Sequence, residues 1–287
     1  MVRFRESSLR DFPSAASVAA SSAAVNVGFA AVRRPLADRG SRGRQPLPQF
    51  LKKFIYKHIM EYSFKIHQNI HYDAWNWWDA CNNINFGTDW SSKINSQISR
   101  KIKDKSKKEA YHFLIPYLKR KYQEDKVKEG KLYIQTELNR KFLPACEKIA
   151  KVMGRPLYRN NFHFYLTTFP SISYNKESGH ILLNYNWNDP IGTFLHELCH
   201  LQFIHYWREN PKSPVSRLPK DQFENLKESL TVILDKDFSP LIKKADQGYP
   251  IHQAFRKKLS AFWKTDKSFN NLVKYGTKQT GQLPPTI

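Results

Sequence analysis

The residues of this chain best equipped for chemistry stand in one short run, Thr193-Phe194-Leu195-His196-Glu197-Leu198-Cys199-His200-Leu201. Two histidines four positions apart lie on the same face of a helix, so both imidazoles can reach one metal ion. Glu197 is rotated from His196 by roughly 100° at 3.6 residues per turn, which lets its carboxylate approach a water on that metal without taking a ligand position. The flanks suit a buried helix: they are uncharged and free of proline, and Leu195, Leu198 and Leu201 can face a core. The chemistry expected is hydrolysis by an activated water, with Zn2+ as the ion, His196 and His200 as ligands and Glu197 as general acid/base.

The H-E-x-x-H run resembles the signature of the zincin metallopeptidases. One departure is Gln202, where the extended pattern usually has an apolar residue. The metzincin branch requires Gly and His where this chain has Phe203 and Tyr206, and His205 is off the ligand face, so that branch does not fit and His205 reads as a partly exposed polar residue. A catalytic zinc needs a third protein ligand and one position for water. Gluzincins take that ligand from a glutamate on a later helix, and Glu228, 28 residues after His200, resembles it. At 100° per residue, Phe223, Leu226, Leu230, Ile233 and Leu234 form an apolar face, while Glu224, Glu228, Thr231 and Asp235 gather on another. Carboxylates beside such an apolar stretch call for a compensating cation. Glu228 is the expected ligand, Glu224 the reserve, and Asp235 a candidate for orienting a ligand imidazole. Val232 stands where gluzincins often place an acid four residues after the ligand.

What the resemblance implies is a zincin-like, gluzincin-like hydrolase of peptide or protein substrates, similar to small uncharacterised bacterial metallopeptidases. His180–Tyr185 would then be the edge strand that aligns the peptide. Tyr249 and His252 are suitable types to stabilise a developing oxyanion; a turn residue and a core histidine are the alternatives.

These residues need elements to hold them. Tyr72–Asn82, Lys105–Tyr122, Lys126–Val152, Pro190–Trp207, Lys220–Leu234 and Ile251–Tyr275 read as helices; Gly154 closes the third, and Asp189-Pro190 starts the fourth. Phe162–Thr168 and His180–Tyr185 read as the two strands of a hairpin. The fold class expected is α+β, mostly helical, with a small antiparallel sheet ahead of the motif helix. Trp75, Trp77 and Trp78 can line a groove or stack on bases, but such a cluster more often docks one helix on another.

The chain has 287 residues, 40% of them hydrophobic, enough for a sizeable core. Eight Arg, no Lys and three acids in residues 1–50 leave 39 basic against 22 acidic residues in the rest, so the formal charge of +22 is spread over the folded part. Such charge attracts anionic partners, and a nucleic-acid-binding protein using the Lys-rich helices around Lys101–Lys131 is the alternative reading. Three cysteines without paired spacing argue against a disulfide framework and fit a reducing compartment. Residues 1–59 read as an Arg/Ala/Ser-rich extension, and 60–287 as one domain: a helical part at 61–155, a catalytic core at 160–235 and a helical C-terminal part at 240–280. No segment is apolar enough to be read as transmembrane. The location expected is cytoplasmic, or organellar if residues 1–48 are a transit peptide.

Overall fold

The computed structural model describes residues 62–83, 88–170, 174–186 and 189–281; the expected N-terminal extension lies outside them. The elements in chain order are β1 (Ser63–His67), α1 (Ile70–Asn82), α2 (Lys107–Lys121), α3 (Asp125–Met153), β2 (Asn161–Thr167), β3 (Tyr174–Asn175), β4 (His180–Asn184), α4 (Pro190–Phe203), α5 (Lys220–Leu230), α6 (Gln253–Thr265) and α7 (Phe269–Thr280), with short helical turns between several of them. The class is α+β, predominantly helical.

Local chemistry sets the boundaries. Asn69 caps α1 by accepting from the amides of His71 and Tyr72, and Ser106 with Glu109 forms a reciprocal capping box on α2. Gly154 ends α3 in the left-handed region, with φ of 64°. The helix beginning at Pro190 is α-helical to Phe203, and Ile204–Arg208 continues it as a wider π turn. The expected C-terminal helix is two helices, separated where Asp266 and Ser268 adopt extended backbone.

The sheet corrects the hairpin expectation. Its order is β1-β2-β4-β3, with β1, β2 and β4 parallel and β3 alone antiparallel, paired to β4 through Tyr174↔Ile181 and Asn175↔His180. The chain therefore reverses twice between β2 and β4. The reversal between β3 and β4 runs through Gly179 at φ 69°, and the two-residue β3 takes the edge position expected of His180–Tyr185.

Strand alternation assigns the two faces. Phe162, Phe164, Leu166, Ile181 and Leu183 face the main core, where Phe142 of α3 and Phe194 of α4 stack at 5.3 Å between ring centres. On the opposite face Tyr165 and Leu182 meet Tyr72 and Trp75 of α1. Trp75 and Trp77 are buried, and the Trp77 indole donates to Thr168 Oγ1 at 2.9 Å, so these two rings dock α1 rather than line a groove.

Asp73 pins that layer. Wholly buried on α1, its carboxylate accepts from Thr167 Oγ1 at 2.6 Å, from the Thr168 amide at 3.1 Å, from Thr168 Oγ1 at 2.9 Å and from Tyr122 Oη at 3.0 Å. Burial pushes its pKa up to about 6, only partly offset by these donors. Because the folded value lies above the ordinary 3.8, the stability this group contributes falls as pH rises from about 4 through about 6. Asp73→Ala strands several buried donors and is expected to cost about 3 kcal/mol in urea unfolding. Asp73→Asn should flatten the stability slope over that pH interval, as paired unfolding curves at pH 4.5 and pH 7 can test.

Candidate metal centre

Helix α4 carries the motif through the middle of the molecule. Asp189 caps it, accepting from the Gly192 amide at 2.9 Å, and Pro190 occupies the first turn. Phe194, Leu195, Leu198 and Leu201 are buried on it, and so is Gln202. The amide of Gln202 explains the departure at that position: its Oε1 accepts from the Tyr158 amide at 2.7 Å and its Nε2 donates to the Pro156 carbonyl at 3.0 Å. It thus satisfies backbone groups on the connection from α3 to β2 that packing would otherwise strand.

His196 and His200 project from one side of α4, with their Nε2 atoms 2.9 Å apart. Helix α5 brings Glu228 to them: its Oε2 lies 3.3 Å from His200 Nε2 and 3.8 Å from His196 Nε2. Ligands roughly 2.05 Å from a common tetrahedral centre are about 3.3 Å from one another, and the three separations bracket that value. Among the described residues, this trio is the group of ligand-type side chains that converges in this way, and it could hold a metal ion.

The electrostatics of the site would suit a cation. Glu197 and Glu228 are each 4% exposed, and Asp246 and Glu224 stand close by with side chains 12% and 28% exposed. Facing these four carboxylates are two fixed cations, Lys227 and Arg256. Two further positive charges restore neutrality in a place where uncompensated charge is costly. Burial raises the Glu197 pKa, with His196 and His200 pulling it partly back. Glu228 is driven the other way: despite burial, His200 and Lys227 hold it well below the usual carboxylate range.

The residue that orients a ligand imidazole is Asp246. Its Oδ2 bonds to His196 Nδ1, and its Oδ1 accepts from the Gly248 amide at 2.7 Å and from Arg256 Nη2 at 3.1 Å. The expected orienter, Asp235, lies elsewhere. It follows the end of α5, caps the turn Lys236–Phe238 and pairs with Lys267 at 3.5 Å. Glu224 is not in the ligand trio either; its carboxylate takes the Lys227 ammonium at 2.6 Å. Asp246 was missed because it sits in coil with no periodicity. The available signal was the Asp-x-Gly turn of Asp246-Gln247-Gly248, in which Gly248 adopts φ of 59° and a Cβ would lie 2.7 Å from the Arg256 guanidinium.

His200 has no comparable orienter. Its Nδ1 is buried without a hydrogen-bond partner among the described residues, and its ring lies against Tyr174 of β3 with centres 6.0 Å apart. Tyr249 and His252 fall on the turn after Asp246, with ring centres 6.1 Å apart. Burial raises Tyr249, with Glu228 and Glu197 adding to the shift; burial lowers His252, against the opposing charge of Glu228. Both therefore feel the site's carboxylates. His205 is on the π turn, 3.8 Å from Glu209 and outside the site.

Comparison with protein-family models, curated proteins and solved structures returns no match.

In the metal-free protein, burial pulls His196 down, but the hydrogen bond and charge of Asp246, with Glu197 and Glu228, outweigh it and hold the pKa at about 9. That pair stabilises the metal-free fold fully below 6.5, and the contribution fades as pH rises through about 9. Metal binding at pH 7 should therefore release about one proton, and affinity should climb with pH until about 9. Calorimetry in buffers of differing ionisation enthalpy measures the proton count. Asp246→Ala is expected to weaken metal binding by roughly 10- to 100-fold and to shift this pH dependence downward.

Proposed function

We propose that the protein is a zinc-dependent peptidase of the zincin type, with a gluzincin-like ligand set of His196, His200 and Glu228. One observation carries the reading above the others. Two imidazole nitrogens and one carboxylate oxygen converge, and Glu197, buried on the same helix, is left over from the ligand set. Bound there, zinc would act as a Lewis acid toward a carbonyl and lower the pKa of a water ligand toward neutrality. Glu197, kept basic by burial, then takes the water proton on its carboxylate and returns it to the leaving nitrogen. Tyr249 and His252 are the side chains we assign to hydrogen-bond the carbonyl oxygen as charge develops on it.

The substrate we infer is an extended peptide. The short edge strand β3 carries Tyr174 against His200, so a peptide lying along this edge would pass the ligand imidazoles. No described helix is long and apolar enough to cross a membrane, and Cys81, Cys146 and Cys199 are buried free thiols, which suits work in a reducing compartment such as the cytoplasm.

A second reading has one observation behind it. Lys101, Lys105, His112 and Arg120 line a groove of about 440 Å³ together with Phe113 and Pro116, and the one acid among its lining residues, Glu109, is engaged in the α2 capping box. Phosphate contacts with stacking on Phe113 would suit a single-stranded nucleic acid.

Zinc content and peptide-library cleavage decide between them. The peptidase reading expects about one zinc per chain, none in His196→Ala, less in Glu228→Ala and full zinc in Glu197→Gln, with cleavage by Glu197→Gln lowered about 10²- to 10⁴-fold. Zinc-free protein from a zinc-replete preparation, together with oligonucleotide binding that falls steeply with salt and ignores Glu197→Gln, would favour the second reading.

A further inference from the structure

Lysine is an unexpected neighbour for a metal ligand, because its charge opposes the ion. Yet Lys227, one residue before Glu228, is 7% exposed and turned inward. Its ammonium has three partners: Glu224 Oε2 at 2.6 Å, Glu228 Oε1 at 3.4 Å and Tyr174 Oη at 3.4 Å. An ammonium so fixed has lost most of its water and its rotamer freedom, a cost that a solvated surface lysine would avoid.

The two oxygens of Glu228 are thereby divided. Oε2 is the one turned to the imidazoles, and Oε1 is the one that meets the ammonium. A carboxylate can bind a cation through one oxygen or two, and an apolar side chain at 227 would leave Oε1 free to join. We propose that Lys227 makes Glu228 a one-oxygen ligand, keeping open the coordination position that its second oxygen would otherwise fill. This inference rests on the metal reading given above. A zinc site that admits both water and a substrate carbonyl must be able to expand from four ligands to five, and a two-oxygen glutamate would occupy that place. Lys227 is in this account a positioning residue. Glu224 holds its ammonium from one side and Tyr174 of the edge strand from the other, so a peptide lying along β3 would run beside the group that keeps its binding position free.

The test uses the full-length protein loaded with Co2+, whose visible absorption reports coordination number, and azide as a probe of the open position. Wild type, Lys227→Met and the double variant Lys227→Met/Glu224→Gln are compared. The double variant removes the cation together with the carboxylate it serves, and so guards against unfolding caused by an unpaired, half-buried Glu224. The expected result is full Co2+ uptake by both variants, a weaker visible absorption as an added oxygen ligand enters, and azide binding weakened roughly tenfold. A Co2+ spectrum and azide affinity equal to wild type in folded variants would overturn the inference while leaving the metal centre standing. Loss of Co2+ from variants whose circular dichroism is unchanged would overturn it too, since Lys227 would then be needed to assemble the site rather than to limit its ligands. Wild type that takes up no Co2+ would remove the metal reading itself, and this inference with it.

Discussion

Glu197, Glu228 and Asp246 are drawn out of water within electrostatic reach of the same two histidines, and much of the surrounding structure follows from having to compensate them. Each buried carboxylate is unfavourable by several kcal/mol unless paired. The chain supplies only part of the counter-charge itself. Lys227 and Arg256 neutralise two of the four nearby acids, and protonation of His196 against Asp246 is the response available to the metal-free protein. A metal ion held by His196, His200 and Glu228 would do the same job while freeing that histidine to be a ligand.

Arg256 shows how the scaffold meets this constraint. It is 5% exposed on α6, and its guanidinium donates to the Asp246 carbonyl and carboxylate, to the Glu228 carbonyl at 3.0 Å and to Thr231 Oγ1 at 2.5 Å. One side chain therefore anchors both the acid that orients His196 and the end of the helix that presents Glu228. The approach needs the bare backbone of Gly248, which also donates its amide to Asp246. Ligand geometry on two helices and a loop is thus tied to a single cation from a fourth element.

The sheet plays the other part. Its inner face and α3 clamp α4 through Phe142, Phe164 and Phe194, fixing the height of the histidines. Its outer face is sealed by α1, whose Asp73 gathers the end of β2 and the C-terminal end of α2. At the β3 edge the sheet comes beside His200 and Lys227, through Tyr174.

Read alone, the sequence determined what depends on neighbours along the chain. The spacing of His196 and His200, the cap at Asp189, the left-handed stop at Gly154 and the apolar stripe of α5 are local periodicities and turn preferences, and the helices up to α5 appear within a few residues of where those place them, whereas the single helix expected at Ile251–Tyr275 is divided in two. Glu228 was legible because a carboxylate next to an apolar stripe on a helix is conspicuous. Strand direction was not legible, since the alternation of Phe162–Thr168 and the apolar run His180–Tyr185 look the same whether the two pair parallel or antiparallel, and a two-residue β3 has too little length to register. Nor could the sequence choose Asp246 over Asp235. Both are acids downstream of α5, and what separates them is that the chain from Ser239 to Gly248 folds back across α4, where the gain from pairing with His196 and Arg256 exceeds anything solvent offers. That choice, like the inward turn of Lys227, is made by burial and by contacts between residues distant in the chain, and so belongs to the tertiary structure alone.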